Sequence, residues 1–111
     1  MCIRDRPGHS SGIHVLSIVG RFLEHSRIYR FANGDAPEYL IGSSDLRPRN
    51  LRRRVELLVP VTDRVHRARL DVILREYLDD PTAWELTADG GYRQRHGRGE
   101  GAQSRFQAEV A

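Results

Sequence analysis

One segment of this chain carries a strong helical period, and little else in the sequence does. From Asp63 to Leu78 the residues Leu70, Ile73, Leu74, Tyr77 and Leu78 recur at three-to-four spacing and form one apolar stripe. Asp63 is placed to cap the first turn. Asp79-Asp80-Pro81 ends the helix, because the residue before a proline resists helical geometry. A single helix can cover only one face of a sheet. The expected fold class is therefore α/β, bordering on α+β: a mixed sheet with one main helix and a terminal hairpin, its uncovered face meeting sequence that lies outside this chain.

The strands are read from short β-type runs. Ile13–Val19 is rich in β-branched residues. His25–Phe31 alternates, which places His25, Arg27, Tyr29 and Phe31 on one side of a strand. Asn33-Gly34 supplies the left-handed backbone that a hairpin turn needs, and Glu38–Ile41 follows as a short strand. Leu46–Arg52 is polar and contains Pro48, so it reads as a loop. Arg53–Val61 is the most apolar run and reads as a central strand that Pro60 should end. Ala83–Thr87 and Tyr92–Arg95 flank Asp89-Gly90-Gly91 and make the terminal hairpin. From His96 onward the chain is rich in Gly, Arg and Gln, so 96–111 is expected to be a flexible tail.

Composition narrows the function classes. The chain has 111 residues, of which 39% are hydrophobic and 30% charged, and this suits one small soluble-type domain. No apolar run approaches the roughly 20 residues a membrane span requires. All 18 basic residues are arginine, in a chain of net charge +3. A GC-rich genome accounts for most of that bias. The planar guanidinium fork also suits phosphate oxygens. The single Cys and single Met both lie in Met1-Cys2, so no internal disulfide is possible. The string MCIRDR resembles a translated transposase adapter of the kind used in sequencing libraries. Residues 1–6 are accordingly expected to be a non-native scar on a truncated gene.

Three clusters could carry chemistry. His25-x-Arg27 combines a histidine, a group that ionises near neutral pH, with a neighbouring cation, a pairing suited to phosphoryl transfer. Taken alone, His25 reads first as an ordinary surface histidine. Gly42-Ser43-Ser44-Asp45 follows an apolar strand and offers hydroxyl and backbone donors to an oxyanion, although alone it reads simply as a strand-ending turn. Arg47-x-Arg49-Asn50-x-Arg52-Arg53-Arg54 places five arginines within eight residues, a strong local positive field or a solvated basic edge. Spacing suits no common zinc site. There is neither a GxxxxGK[ST] loop nor a GxGxxG turn.

Taken together and in order, SIVGRFLEHSRI, YLIGSSDLRPRNLRRRVELLVPV and AWEL followed by DGGY closely resemble the C-terminal end of bacterial polyphosphate kinase. The resemblance covers residues 7–95 as a C-terminal lobe, and Arg6 fits either the adapter or the kinase. It implies a partial phospholipase-D-like domain, in which two similar lobes each bring one histidine to a shared site. It implies reversible transfer of the terminal phosphate of ATP to polyphosphate, with magnesium, through a phosphohistidine in the preceding lobe. No segment here looks like that phosphohistidine motif. His25 matches the second, assisting histidine. Arg27, Gly42, Ser43, Ser44, Asp45, Arg49 and Asn50 become phosphate- or nucleotide-binding candidates. The magnesium ligands are expected mostly outside this chain, and an isolated fragment is expected to be inactive.

The implied partners are ATP, ADP and polyphosphate, with a homo-oligomer for the full-length enzyme, no specific nucleic acid and no transmembrane segment. The implied location is cytoplasmic, with membrane association open for the full-length enzyme. The sequence departs from the family where Leu46 and Arg47 replace a usual aromatic and methionine. Two other readings compete. A phospholipase-D-like phosphodiesterase half would carry lysine where Arg27 stands. An arginine-rich module for polyphosphate or nucleic acid would bind in a salt-sensitive way without turnover, and Arg47–Arg54 lacks the interleaved aromatics of single-strand binders.

Overall fold

The computed structural model describes residues 12–45, 48–53 and 55–110. In chain order they form β1 (Leu16–Ser17), β2 (Arg27–Phe31), β3 (Glu38–Gly42), α1 (Pro48–Arg53), β4 (Leu58–Pro60), α2 (Arg64–Leu78), β5 (Trp84–Leu86), β6 (Tyr92–Gln94) and α3 (Ala102–Val110). The α/β class holds, and β5–β6 is the expected terminal hairpin. The strands nevertheless divide between two three-stranded sheets, ordered β1-β5-β6 and β2-β3-β4. Each pairing among the described residues is antiparallel, so neither sheet is mixed. Two of these pairings join strands linked by short turns, which favour antiparallel neighbours; a parallel pair needs a long crossover. No helix among the described residues is long and apolar enough to cross a membrane.

The chain forms two compact units. One is the inserted unit, Leu23–Arg75; the other combines the described residues up to Phe22 with those from Glu76 onward. The inserted unit is built on the β2–β3 hairpin. Asn33 and Gly34 adopt φ of 43° and 64°, the left-handed turn anticipated from Asn-Gly. Tyr39 of β3 is buried, 3% exposed. Its hydroxyl donates to Asp71 Oδ2 of α2 at 2.8 Å and accepts from Arg30 Nε at 3.1 Å. Arg30 also donates to Asp71 Oδ1 at 3.1 Å. The guanidiniums of Arg30 and Arg67 lie 5.6 and 5.8 Å from the centre of the Tyr39 ring. A polar-aromatic cluster therefore seats α2 on the sheet face that carries Arg30 and Tyr39. The expected stripe faces inward as far as Tyr77: Leu70, Ile73, Leu74 and Tyr77 are half-buried, and Leu78 is exposed.

Asp63 caps α2 as expected. Its Oδ1 accepts from Val65 N at 2.9 Å and His66 N at 3.1 Å, and these backbone bonds, led by that from His66, hold the carboxyl below its usual range.

The flanking unit turns on Asp80, which is fully buried. Its Oδ1 accepts from Thr82 N and the Thr82 hydroxyl, each at 2.7 Å, and its Oδ2 accepts from Ala102 N at 2.7 Å. One carboxylate thus closes the turn after α2 and caps the start of α3. Burial alone would raise its pKa; the Ala102 and Thr82 bonds, with nearby Arg105, outweigh that and lower it. Further along α3, Phe106 meets Tyr77 edge-on at 5.3 Å, and Arg105 pairs with Glu76 at 2.8 Å.

Several boundaries differ from those read in the sequence. Residues 96–111 were expected as a flexible tail, yet they hold α3, because Asp80 and Tyr77 supply distant contacts that composition does not reveal. Of Leu46–Arg52, expected as a loop, residues 48–52 lie in α1, with Pro48 at the first helical position, where its missing N–H costs nothing. The strand expected over Arg53–Val61 shortens to Leu58–Pro60, and Pro60 does end it. Ile13–Val19 pairs only at Leu16–Ser17. The expected adapter scar at 1–6 lies outside the described residues.

Replacing Asp80 by Ala removes the acceptor of three donors, of which Ala102 N is buried, and should cost about 1–3 kcal/mol, measurable by urea unfolding. Because the folded carboxyl titrates below its unfolded value, Asp80 stabilises the fold fully above that unfolded value, near 3.9. Its contribution should disappear as the pH falls through the lower folded value.

Candidate active site

The β2–β3 register decides which residues meet. Arg27, the first residue of β2, pairs with Gly42, the last residue of β3. The segment just before β2, which carries His25 and Ser26, and the segment just after β3, Ser43–Asp45, therefore emerge at the same end of the ladder. Two residues far apart in the notation of motifs become neighbours: Arg27 Nε donates to Asp45 Oδ1 at 2.7 Å. The Arg27 Nη1 group turns back to the carbonyl oxygens of His25 and Ser26, the latter at 3.2 Å. Tyr29, two residues on and so on the same face as Arg27, donates its hydroxyl to the Ser44 carbonyl at 2.6 Å. This face is opposite the one that carries Arg30 and Tyr39 and seats α2.

His25 is exposed and precedes the strand, which starts at Arg27 rather than at His25. The expected strand-face pairing of the two side chains is thus replaced by contact between the Arg27 guanidinium and the His25 backbone. Ser43 is exposed, whereas Ser44 is buried, 3% exposed, with its carbonyl taken up by Tyr29. Gly42 serves the sheet: a Cβ there would lie 2.8 Å from Leu58 Cδ2 and closer still to the Leu57 carbonyl. Arg49 and Asn50 fall within α1, and Arg52 and Arg53 are exposed at its end. Arg47 and Arg54 lie outside the described residues. Among the described residues no three His, Cys, Asp or Glu side chains cluster as a metal site. Among them, no donor set fits the magnesium that the resemblance implies.

Sequence reasoning missed Tyr29 and Tyr39. Alternation already placed Tyr29 beside Arg27, so the signal for its face was present. The Ser44 carbonyl as its partner required the register. Nothing local marks Tyr39 as the residue that joins the sheet to Asp71 of α2.

The pairing of a His-x-Arg segment with a Gly-Ser-x-Asp segment across one hairpin coincides with a match of residues 1–107 to the family model described as polyphosphate kinase C-terminal domain 2. The chain belongs to that family. It is 45% identical over 106 residues to a polyphosphate kinase of Prochlorococcus marinus, covering 95% of this chain and 15% of that protein. It is 53% identical over 85 residues to a polyphosphate kinase of Streptomyces coelicolor, covering 76% of this chain and 11% of that one. The crystal structure of polyphosphate kinase from Porphyromonas gingivalis superposes with a TM-score of 0.81 at 32% identity, over 91% of this chain and 16% of that chain. The chain therefore spans about a seventh of the length of a relative such as the Prochlorococcus protein.

Within this polyphosphate kinase domain, Gly42→Ala should open the β3–β4 pairing, because backbone at Leu57 cannot yield as a side-chain tip can. A loss of about 1–3 kcal/mol is expected for such overpacking, read as a lowered denaturation midpoint together with faster amide exchange in β4.

Proposed function

We propose that this domain supplies the assisting histidine, His25, to a polyphosphate kinase that transfers the terminal phosphate of ATP reversibly to polyphosphate. The observation that supports this most is the β2–β3 register, which brings His25 and the Gly-Ser-x-Asp segment to one end of a hairpin in a chain of this family. Phosphoryl transfer depends more on in-line positioning and charge neutralisation than on many covalent participants. An exposed imidazole at a strand entry can reach a ligand without rearrangement. As imidazolium it donates to phosphoryl oxygens or to a leaving oxygen; as imidazole it accepts a proton in the reverse direction.

Ser43, exposed at the same end of the ladder, is the hydroxyl of the Gly42–Asp45 segment open to a phosphate oxygen. Arg49 and Asn50 on α1 are the further phosphate-binding candidates. In this reading the phosphorylated histidine belongs to another lobe of the full-length enzyme. Magnesium is held mainly by residues outside this chain, and the working enzyme is a cytoplasmic homo-oligomer. The isolated domain has no turnover.

His25→Ala in a full-length polyphosphate kinase carrying this domain should reduce polyphosphate synthesis by at least about 100-fold, the scale for losing a positioned acid–base or electrostatic group. Because His25 is exposed, the variant should fold, which circular dichroism checks. Near wild-type turnover by the folded variant would refute the reading.

A further inference from the structure

Arg27 was expected to bind phosphate, but its geometry is directed elsewhere. The guanidinium makes three contacts inside the inserted unit: Nε to Asp45 Oδ1 at 2.7 Å, and Nη1 to the carbonyls of His25 and Ser26. Its side chain is only 29% exposed and that of Asp45 35%, so the pair is partly withdrawn from water. The planar fork of arginine holds several acceptors in one fixed arrangement, which a lysine ammonium on a flexible stem cannot reproduce. The acceptors are informative. Two are backbone carbonyls of the segment that carries His25, and the third is the last residue of Gly-Ser-x-Asp. A second tie, Tyr29 to the Ser44 carbonyl at 2.6 Å, holds the same segment from the same strand face. The partial neutralisation of Arg27 by Asp45 also leaves it less suited to attract an anion.

We propose that Arg27 is a positioning residue: braced by Asp45, it fixes the backbone at His25 and Ser26 and thereby aims the His25 imidazole at the transferred phosphoryl group. This rests on His25 being the assisting histidine. Its action is through His25, so it predicts a pattern that a direct phosphate ligand does not share. Removing a phosphate ligand weakens substrate binding and raises KM. Loosening a brace misplaces the reacting group and lowers kcat.

The test uses a full-length polyphosphate kinase carrying this domain, with Arg27→Met, Arg27→Lys, Asp45→Ala, Asp45→Asn, His25→Ala and the doubles Arg27→Met/Asp45→Ala and Arg27→Met/His25→Ala. Arg27→Met and Asp45→Ala should each lower kcat by about tenfold, within what a small misplacement costs. KM for ATP should change by less than about twofold, since ground-state binding is retained. The Arg27–Asp45 double should be no worse than the poorer single, because the two act as one unit. Arg27→Lys should fall with Arg27→Met, and Asp45→Asn, whose amide oxygen still accepts from Nε, should lose less than Asp45→Ala. In the His25→Ala background Arg27→Met should add nothing.

A raised KM for ATP with kcat kept, retention of activity by Arg27→Lys, or additive losses with Asp45 or His25 would overturn the brace. If Arg27→Met fails to fold, Arg27→Lys and Asp45→Asn decide on the same criteria. The two readings separate cleanly: an active His25→Ala enzyme defeats the assisting histidine itself. An inactive one together with a KM effect at Arg27 defeats only the positioning role.

Discussion

The pairing of Arg27 with Gly42 is the constraint on which the candidate site depends. A shift of one residue in that register would turn Arg27 and Tyr29 to the other face of the strand, beneath α2, and away from Ser44 and Asp45. The register is held by features on both faces. On one, Tyr39 is clamped between Arg30, Arg67 and Asp71, so β3 cannot slide without breaking its hold on α2. On the other, the Arg27–Asp45 and Tyr29–Ser44 contacts tie the ladder's end to the segment that follows it. At Gly42 the absence of a Cβ lets β4 close against β3. The chemistry-bearing residues are thus placed by a hairpin whose register is fixed mainly by polar and aromatic contacts.

The flanking unit follows similar physics with a different centre. Among the described residues, the fully or nearly buried hydrophobic side chains are Tyr39, Ala83 and Ala102, while Leu23 and Val55 are wholly exposed. With so little apolar burial, polar contacts of good geometry carry an unusual share of the specificity. Asp80 does this by joining three donors from two parts of the chain, at the energetic risk that any buried carboxylate brings if a partner is lost. Glu85 performs a milder version on the hairpin, where Arg95 and then Arg93 hold its carboxyl below the usual range.

Much of this was legible locally. The 3.6-residue period gave α2 and Asp63 its cap; Asn33-Gly34 marked the hairpin that joins β2 and β3; Pro60 marked the end of β4. The linked motifs around His25 and Gly42–Asp45 pointed to the family that residues 1–107 match. Where reading failed, the deciding contacts lay far away in sequence. α3 looked like a tail because Gly, Arg and Gln set no apolar stripe, and its cap comes from Asp80, 22 residues earlier. Residues 48–52 looked like part of a loop because a proline and several arginines resemble one. Proline at the first helical position is equally acceptable to a helix.

By itself the sequence determined the family, the hairpin turns, the main helix and the identity of His25 as the residue of interest, because turn chemistry, periodicity and motif spacing are properties of neighbours along the chain. Only the tertiary structure decided that Arg27 faces Asp45 and the His25 backbone, that Ser44 is buried while Ser43 is exposed, and that Gly42 serves strand packing. Those facts depend on which polar groups meet across a ladder. A side chain that must satisfy its hydrogen bonds chooses among partners that only folding brings within reach.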